Sequence, residues 1–227
     1  MNDAKLRLSA AEMALVMDPG VILTKNSIIG KVVEMMARLS EEFRGVWDVA
    51  MVGSAGRWAS VAVVDGNPKI SKGENYLGLP YVMLDYPRIF GKEDVLAIRT
   101  MFWWGHAFIV TLHLKGRYKD MLLPVIRDQW PVLSAGGFHV GVSEDEWRHE
   151  HVPDNYMPVE AGGAALERAL GAQPFLKISA RCGLDRWEEA PMVLAELFRL
   201  SVNVVGVNSP ADGRGPLPGS SRAGSGL

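Results

Sequence analysis

The most constraining feature of the chain is a pair of β-rich runs separated by three residues. Val95–Trp103 and Ala107–Leu114 flank the tripeptide Trp104-Gly105-His106. A glycine between two apolar runs predicts a β-hairpin that turns at Gly105. Both faces of the second run are largely apolar, which is typical of a strand inside a sheet. The chain is therefore predicted to contain a sheet with this hairpin near its centre.

Patterns outside the hairpin predict further strands and helices. Ser9, with Glu12 three residues later, forms the pattern of a capping box and predicts a short helix over Ser9–Met17. Apolar residues at helical spacing predict a longer helix over Lys25–Phe43, closed by Gly45. The other predicted elements are strands at Trp47–Val52, Trp58–Val64, Leu79–Leu84, Phe138–Val142 and Phe175–Ala180, and helices at Tyr118–Trp130, Ala164–Leu170 and Arg186–Leu200. This mixture predicts one α+β domain over residues 1–207, with a mostly antiparallel sheet covered by amphipathic helices.

Prolines and glycines predict breaks between these elements. Pro19 is expected to stop the first helix, Pro87 to end the strand that begins at Leu79, and Pro124 to interrupt the middle helix. The segment from Lys69 through Gly73-Glu74-Asn75, which includes Lys72, is interpreted as a turn, because it has neither the spacing of a phosphate loop nor a following helix.

Composition excludes several classes of protein. Of 227 residues, 48% are hydrophobic, which is enough to build a core without disulfides. The single cysteine, Cys182, excludes an intramolecular disulfide and is interpreted as a small apolar filler. A net charge of −2, from 24 basic and 26 acidic residues, gives no positive field to attract a polyanion. Nucleic acid is therefore not a predicted partner.

The ends of the chain suggest a location and a tail. The N-terminus MNDAKLRLSAAEM lacks the pattern of a signal peptide, and no stretch of about 18 uncharged apolar residues predicts a membrane span. A cytoplasmic protein without membrane contact is expected. Residues 208–227 are rich in glycine, proline and serine, and they are predicted to form a disordered tail.

Four residues on or beside the central strands are candidates for acid–base chemistry. Asp85, Arg99, His106 and His113 bring a carboxylate, a guanidinium and imidazoles to strands that are expected to be neighbours. The alternative is that Asp85 and Arg99 form a structural ion pair and His113 is a core histidine. The sequence leaves both interpretations open.

Two further groups of residues have chemical interpretations of their own. Trp103 and Trp104 suggest that one indole stacks on a ligand while the other packs in the core, because alternate strand residues face opposite sides. His149 and His151, with His139 as a third ligand, have metal-ligand residue types. Their polar surroundings predict a solvated loop instead, so no metal and no cofactor are expected.

The run KISKGENYLGLPYVMLDYPRIFG and the later FWWG resemble a group of uncharacterised bacterial proteins. The resemblance covers Leu6 to Val205 and implies one continuous domain of bacterial origin. It implies no activity, cofactor or site residue.

Two classes of function follow. The absence of a recognisable catalytic motif favours a non-catalytic accessory or protein-interaction module. The alternative is a small-molecule-binding protein or an enzyme that uses the His/Asp/Arg group. The predicted partner is accordingly a protein or a small molecule, and the sequence gives no oligomeric state. An open cleft lined by the group would favour the alternative, and an exposed apolar patch would favour the module.

Overall fold

The computed structural model describes residues 6–53, 66–158 and 164–206, which form five α-helices, seven strands and a short 3-10 helix. The helices are α1 (Ala10–Met17), α2 (Pro19–Gly53), α3 (Arg117–Ala135), α4 (Ala164–Gly171) and α5 (Ala190–Gly206). The strands are β1 (Lys69–Tyr76), β2 (Leu79–Phe90), β3 (Val95–Trp103), β4 (Ala107–Lys115), β5 (His139–Gly141), β6 (Tyr156–Pro158) and β7 (Phe175–Gly183). The predicted strand Trp58–Val64 and the predicted tail at 208–227 lie outside the described residues.

The strands form one antiparallel sheet in the order β1-β2-β3-β4-β7-β5-β6. The predicted hairpin is confirmed: Trp103 pairs with Ala107, and the turn between them contains Gly105 with φ of +74°. The predicted α+β class and the antiparallel sheet are confirmed as well. Strand β7 returns from far along the chain to pair with β4, which places the hairpin inside the sheet.

One face of the sheet carries the hydrophobic core. Alternation along β4 directs Phe108, Val110, Leu112 and Leu114 to this face, where they join a buried cluster with residues of α2, α3 and α5. In α2 the buried residues recur at helical spacing: Ile29, Val32, Met36, Leu39, Phe43 and Trp47. The rings of Phe43 and Phe198 stack at a centroid distance of 3.8 Å and join α2 to α5.

Several predicted boundaries are wrong. The first helix ends at Met17 as predicted, but α2 begins directly at Pro19 and not at Lys25, because a proline in the first helical position loses no hydrogen bond. That helix runs through Gly45 to Gly53, so Trp47–Val52 is helical and not a strand. The segment Lys69–Tyr76 is strand β1 and not a turn.

The prolines at positions 87 and 124 do not end or interrupt their elements. Strand β2 passes Pro87, and its pairing with β3 shifts register between Asp85 and Arg88. Helix α3 continues through both Pro124 and Pro131.

The conformation of Gly105 gives a stability prediction. Gly105→Ala is expected to cost about 1–2 kcal/mol, because φ of +74° disfavours any side chain. No atom lies within 4 Å of the position that the new Cβ would take, so backbone strain is the only cost. Chemical denaturation measures the change.

The matched control is Gly45→Ala on the exposed side of α2, where the same change should stabilise by about 0.5–1 kcal/mol. Equal effects of the same sign at the two sites would contradict the assigned turn.

Candidate functional site

The candidate site lies on the sheet face opposite the helices. Register places a row of polar residues across six neighbouring strands: Lys69, Asp85, Arg99, Thr111, Ser179 and His139. Asp85, Thr111 and Ser179 are buried although they lie on a face without helices. A second layer must therefore cover this face, and the polar groups beneath it need partners.

Residues 143–155, the covering segment, supply that layer. They leave the sheet after β5 and return to it at β6, and Val142 N donates to Asn155 O at 2.8 Å where the segment closes. His149 and Glu150 within it are buried. The segment was predicted to be a solvated loop, and this prediction is wrong because its polar side chains bind the polar row.

Asp85 and Arg99 form a bidentate ion pair at the centre of this face. Arg99 Nε lies 2.7 Å from Asp85 Oδ1, and Arg99 Nη2 lies 3.0 Å from Asp85 Oδ2. Arg99 Nη1 donates to His149 Nε2 at 3.2 Å. Because a guanidinium has no acceptor, His149 Nε2 must be unprotonated.

The covering segment therefore lies over the ion pair and binds it through His149. Burial is the main reason that the pKa of His149 lies well below its usual range, and the charges of Lys177 and Arg99 lower it further.

His113 and Lys115 bind a second carboxylate of the covering segment. Glu146 Oε2 lies 3.2 Å from His113 Nε2, and Glu146 Oε1 accepts from Lys115 Nζ at 2.8 Å. Burial, together with the charges of Lys177, Arg99 and Lys115, lowers the pKa of His113 to about 3. The imidazole is therefore neutral at neutral pH and donates to Glu146.

Tyr76 and Glu150 anchor the covering segment to the end of β1. The hydroxyl of Tyr76 donates to Glu150 Oε2 and accepts from the backbone N–H of His149 at 2.6 Å. Glu150 Oε1 accepts from Arg148 Nε at 2.6 Å. Both carboxylate oxygens are engaged, and the pKa of Tyr76 is raised by burial and by its bond to Glu150.

Lys177 is a buried cation without a carboxylate partner among the described residues. Its ammonium group donates to the backbone carbonyl of Arg148 and lies 5.3 Å from the centre of the Tyr156 ring. Desolvation lowers its pKa to about 7, and the charge of Arg99 adds to that effect. Lys177 was not among the predicted site residues, although a lone charge within the apolar run FLKISA is a usable signal for a buried charged group.

His151 binds the other end of the polar row. Its Nε2 lies 2.9 Å from Ser179 Oγ, and its ring stacks on Tyr156 at 4.5 Å. Ser179 Oγ lies 3.1 Å from Val110 O and 2.9 Å from Thr111 Oγ1, and when its single proton goes to either of them, the proton of the His151–Ser179 bond comes from Nε2. Burial lowers the pKa of His151 to about 3, so the ring is neutral and its Nδ1 is an acceptor.

The structure brings three of the four predicted acid–base residues together. Asp85, Arg99 and His113 lie on the covered face, while His106 lies at the exposed turn of the β3–β4 hairpin. The pocket at the hairpin end of this face, whose lining includes Trp103, His106 and His151, is lined by none of the first three. Their catalytic role stays a prediction, and the geometry is that of a closed network.

The two tryptophans face opposite sides of the sheet, as alternation predicts. Trp103 is buried on the covered face, where its indole stacks on His106 at 3.5 Å and donates from Nε1 to Tyr76 O at 3.2 Å. Trp104 packs against the helix-side core, with an edge contact to Phe102.

The candidate metal ligands do not converge on one point. His149 bonds to Arg99, His151 bonds to Ser179, and only His139 approaches His151, at a ring distance of 5.2 Å. Within residues 6–53, 66–158 and 164–206, no three His, Cys, Asp or Glu side chains are grouped as ion ligands.

Comparison with known proteins adds no relative. No protein-family model, curated protein or solved structure matches the chain. The resemblance to bacterial proteins stays a prediction. Over the part of the chain that the structure describes, no helix has the length and apolarity needed to cross a bilayer.

Proposed function

We propose that the chain is a non-catalytic protein-interaction module that docks through an N-terminal arm, residues 6–24, and that the arm binds a second copy of the chain. The observation that carries the proposal is that α1 buries none of its residues. Every residue from 6 to 24 is exposed. A helix of eight residues is marginal in water without packing, so α1 needs a surface to pack against.

The exposed surface of the arm is apolar. Its large apolar side chains are Leu6, Leu8, Met13, Leu15, Val16, Met17, Val21, Ile22 and Leu23. The arm has only three charged residues, Arg7, Glu12 and Asp18. Soluble monomers rarely expose contiguous apolar patches of this kind, and such patches mark interaction sites.

The size and chemistry of the arm fit a homodimer. Full burial of one aliphatic side chain removes about 60–120 Å² from water, so these side chains offer on the order of 500–1,000 Å² per copy. A stable interface needs about 800 Å² per partner. Homodimer interfaces are the more apolar class, and an apolar surface is complementary to its own copy about a two-fold axis.

The covered face supports a non-catalytic function. Asp85 and Arg99 bind each other, Arg99 also binds His149, and His113 binds Glu146 of the covering segment. A substrate would first have to displace Glu146 and His149. The acid–base alternative is therefore less well supported than docking.

Association is tested by sedimentation equilibrium at micromolar concentrations. The wild-type chain is expected to be a dimer, and Val16→Glu/Leu23→Glu is expected to raise the dimer dissociation constant by at least about 100-fold, because it buries charges in an apolar interface. The melting transition of the sheet domain should persist in this variant, since the arm buries little against it.

The matched control is Val132→Glu/Met192→Glu, which changes two exposed apolar residues on α3 and α5. This variant should remain dimeric. A wild-type chain that sediments as a monomer throughout, or an arm variant that still dimerises, would contradict the proposal.

A further inference from the structure

A pocket of about 220 Å³ lies at the hairpin end of the covered face. Trp103, Ala107 and Ile109 line it from the sheet, and Val152 lines it from the covering segment. Leu77, in the turn between β1 and β2, completes the apolar lining. The volume equals that of roughly seven waters at about 30 Å³ each, so a ligand there has on the order of ten non-hydrogen atoms.

One arginine and one glutamate line this pocket, and only the arginine lacks an ion-pair partner among the described residues. The side chain of Arg181 is exposed, and none of the ion pairs formed among the described residues includes its guanidinium. Glu150 also lines the pocket, but its oxygens are occupied by Arg148, Tyr76 and the N–H of His149. Arg181 is thus the unbalanced charge, and a planar guanidinium binds carboxylates in a two-pronged geometry.

One buried acceptor in the lining has no partner. Nδ1 of His151 is shielded from solvent and makes no hydrogen bond with any described residue. In the tautomer whose Nε2 donates to Ser179, Nδ1 of the neutral ring is an acceptor. A buried unsatisfied acceptor is costly, and a ligand hydroxyl would satisfy it.

Leu77 has a conformation that stability does not explain. It has φ of +51° and is followed by Gly78 at +84°, the backbone of a turn that favours Asn-Gly. It is also 66% exposed, so its side chain gains little from burial. A strained residue beside a pocket is a candidate for a functional role, and Leu77 is positioned to cover the apolar part of a ligand.

We propose that this pocket binds a small monocarboxylic acid that has an apolar body and a hydroxyl group. Its carboxylate pairs with Arg181, its hydroxyl donates to His151 Nδ1, and its body packs between Leu77 and the surface formed by Trp103 and Ile109. This inference does not depend on association through the N-terminal arm.

Titration with 4-hydroxybenzoate and 2-hydroxyisocaproate tests the ligand class. Calorimetry is expected to show saturable binding of at least one of them, and NMR should shift the indole N–H signal of Trp103. Benzoate, which lacks the hydroxyl, should bind at least about 10-fold more weakly than 4-hydroxybenzoate. Inorganic phosphate, a small anion without an apolar body, should not compete.

Three variants test the assigned contacts. Arg181→Met should weaken binding at least about 10-fold, whereas Arg127→Met, at an exposed arginine of α3, should have no effect. His151→Phe should remove the preference for 4-hydroxybenzoate over benzoate and leave benzoate binding in place. Leu77→Asn should weaken binding several-fold without lowering the melting temperature, a combination that a purely structural role of Leu77 does not produce.

Several results would overturn the proposal. One is that neither acid binds at millimolar concentration. Another is that phosphate competes equally, which would indicate a general anion site. A third is that Arg181→Met and Arg127→Met weaken binding to the same extent. Binding that persists in Arg181→Met with unchanged affinity would place the ligand elsewhere.

Discussion

Asp85→Asn and Arg99→Met are each expected to lower the free energy of unfolding by about 3–5 kcal/mol. The first variant leaves the guanidinium of Arg99 buried without a counter-charge, and the second leaves the carboxylate of Asp85 in the same state. The side chain of Asp85 is 7% exposed and that of Arg99 is 16% exposed, so little water reaches the group that remains. Urea denaturation of both variants measures the loss.

The exposed pair Arg127–Glu167, at 2.8 Å, is the matched control. Arg127→Met and Glu167→Gln should each cost less than about 1 kcal/mol. The double variant Asp85→Leu/Arg99→Met should recover much of the loss, since it removes both charges. Single-variant losses below about 1 kcal/mol at Asp85 and Arg99 would indicate a hydrated site and would revive the acid–base function.

Acid is expected to unfold the protein at a higher pH than carboxylate protonation alone would require. His113 and His151 have pKa values of about 3 in the folded chain, and the pKa of His149 is also lowered, mainly by burial. Between about pH 6.5 and pH 3 the unfolded chain therefore binds more protons than the folded chain, so stability falls as the pH falls. Each histidine contributes up to about 1.4 kcal/mol per pH unit in that window.

Denaturation midpoints measured from pH 7.5 to pH 5 test this expectation. His113→Gln keeps a donor toward Glu146 but does not titrate, so its stability should depend less steeply on pH than that of the wild type. Carboxylates with a lowered pKa, such as Glu150, lose their contribution to stability only below about pH 4.5. A loss of stability between pH 7.5 and pH 5 is therefore caused by the histidines and not by the carboxylates. A flat profile from pH 7.5 to pH 5 would contradict the assignment of neutral, buried histidines.

Local patterns allowed the hairpin, the capped first helix and the final strand to be predicted. Gly105 and the flanking β-rich runs lie within 20 consecutive residues, so nothing distant had to be known. The end of α2 was predicted wrongly because Val46 and Val49 favour strands, although Trp47 and Ala50 continue the helical spacing of Phe43. Packing against the sheet makes this segment helical, and the local residue preferences do not.

Strand β1 and the covering segment were missed for a different reason. Lys69–Tyr76 is an edge strand, and edge strands carry charges that resemble turn composition. His149 and Glu150 lie in a polar run, and their partners Arg99 and Tyr76 are 50 and 74 residues away. No local pattern carries such pairings. The Asp85–Arg99 pair was anticipated because both charges interrupt apolar strands that were expected to be neighbours.

The polar row also fixes the alignment of the strands. Side chains alternate between faces, so sliding β3 by one residue would carry Arg99 into the apolar layer beneath α2 and α5 and bring Ile98 out against Asp85. An apolar strand such as β4 discriminates weakly between such alignments, because both of its faces are covered and mostly apolar. A buried charge that is tolerated in only one alignment removes the ambiguity, much as a single polar residue does within a coiled coil. The network beneath the covering segment therefore favours one alignment of the strands over the neighbouring alignments. This effect is separate from its contribution to the free energy of folding.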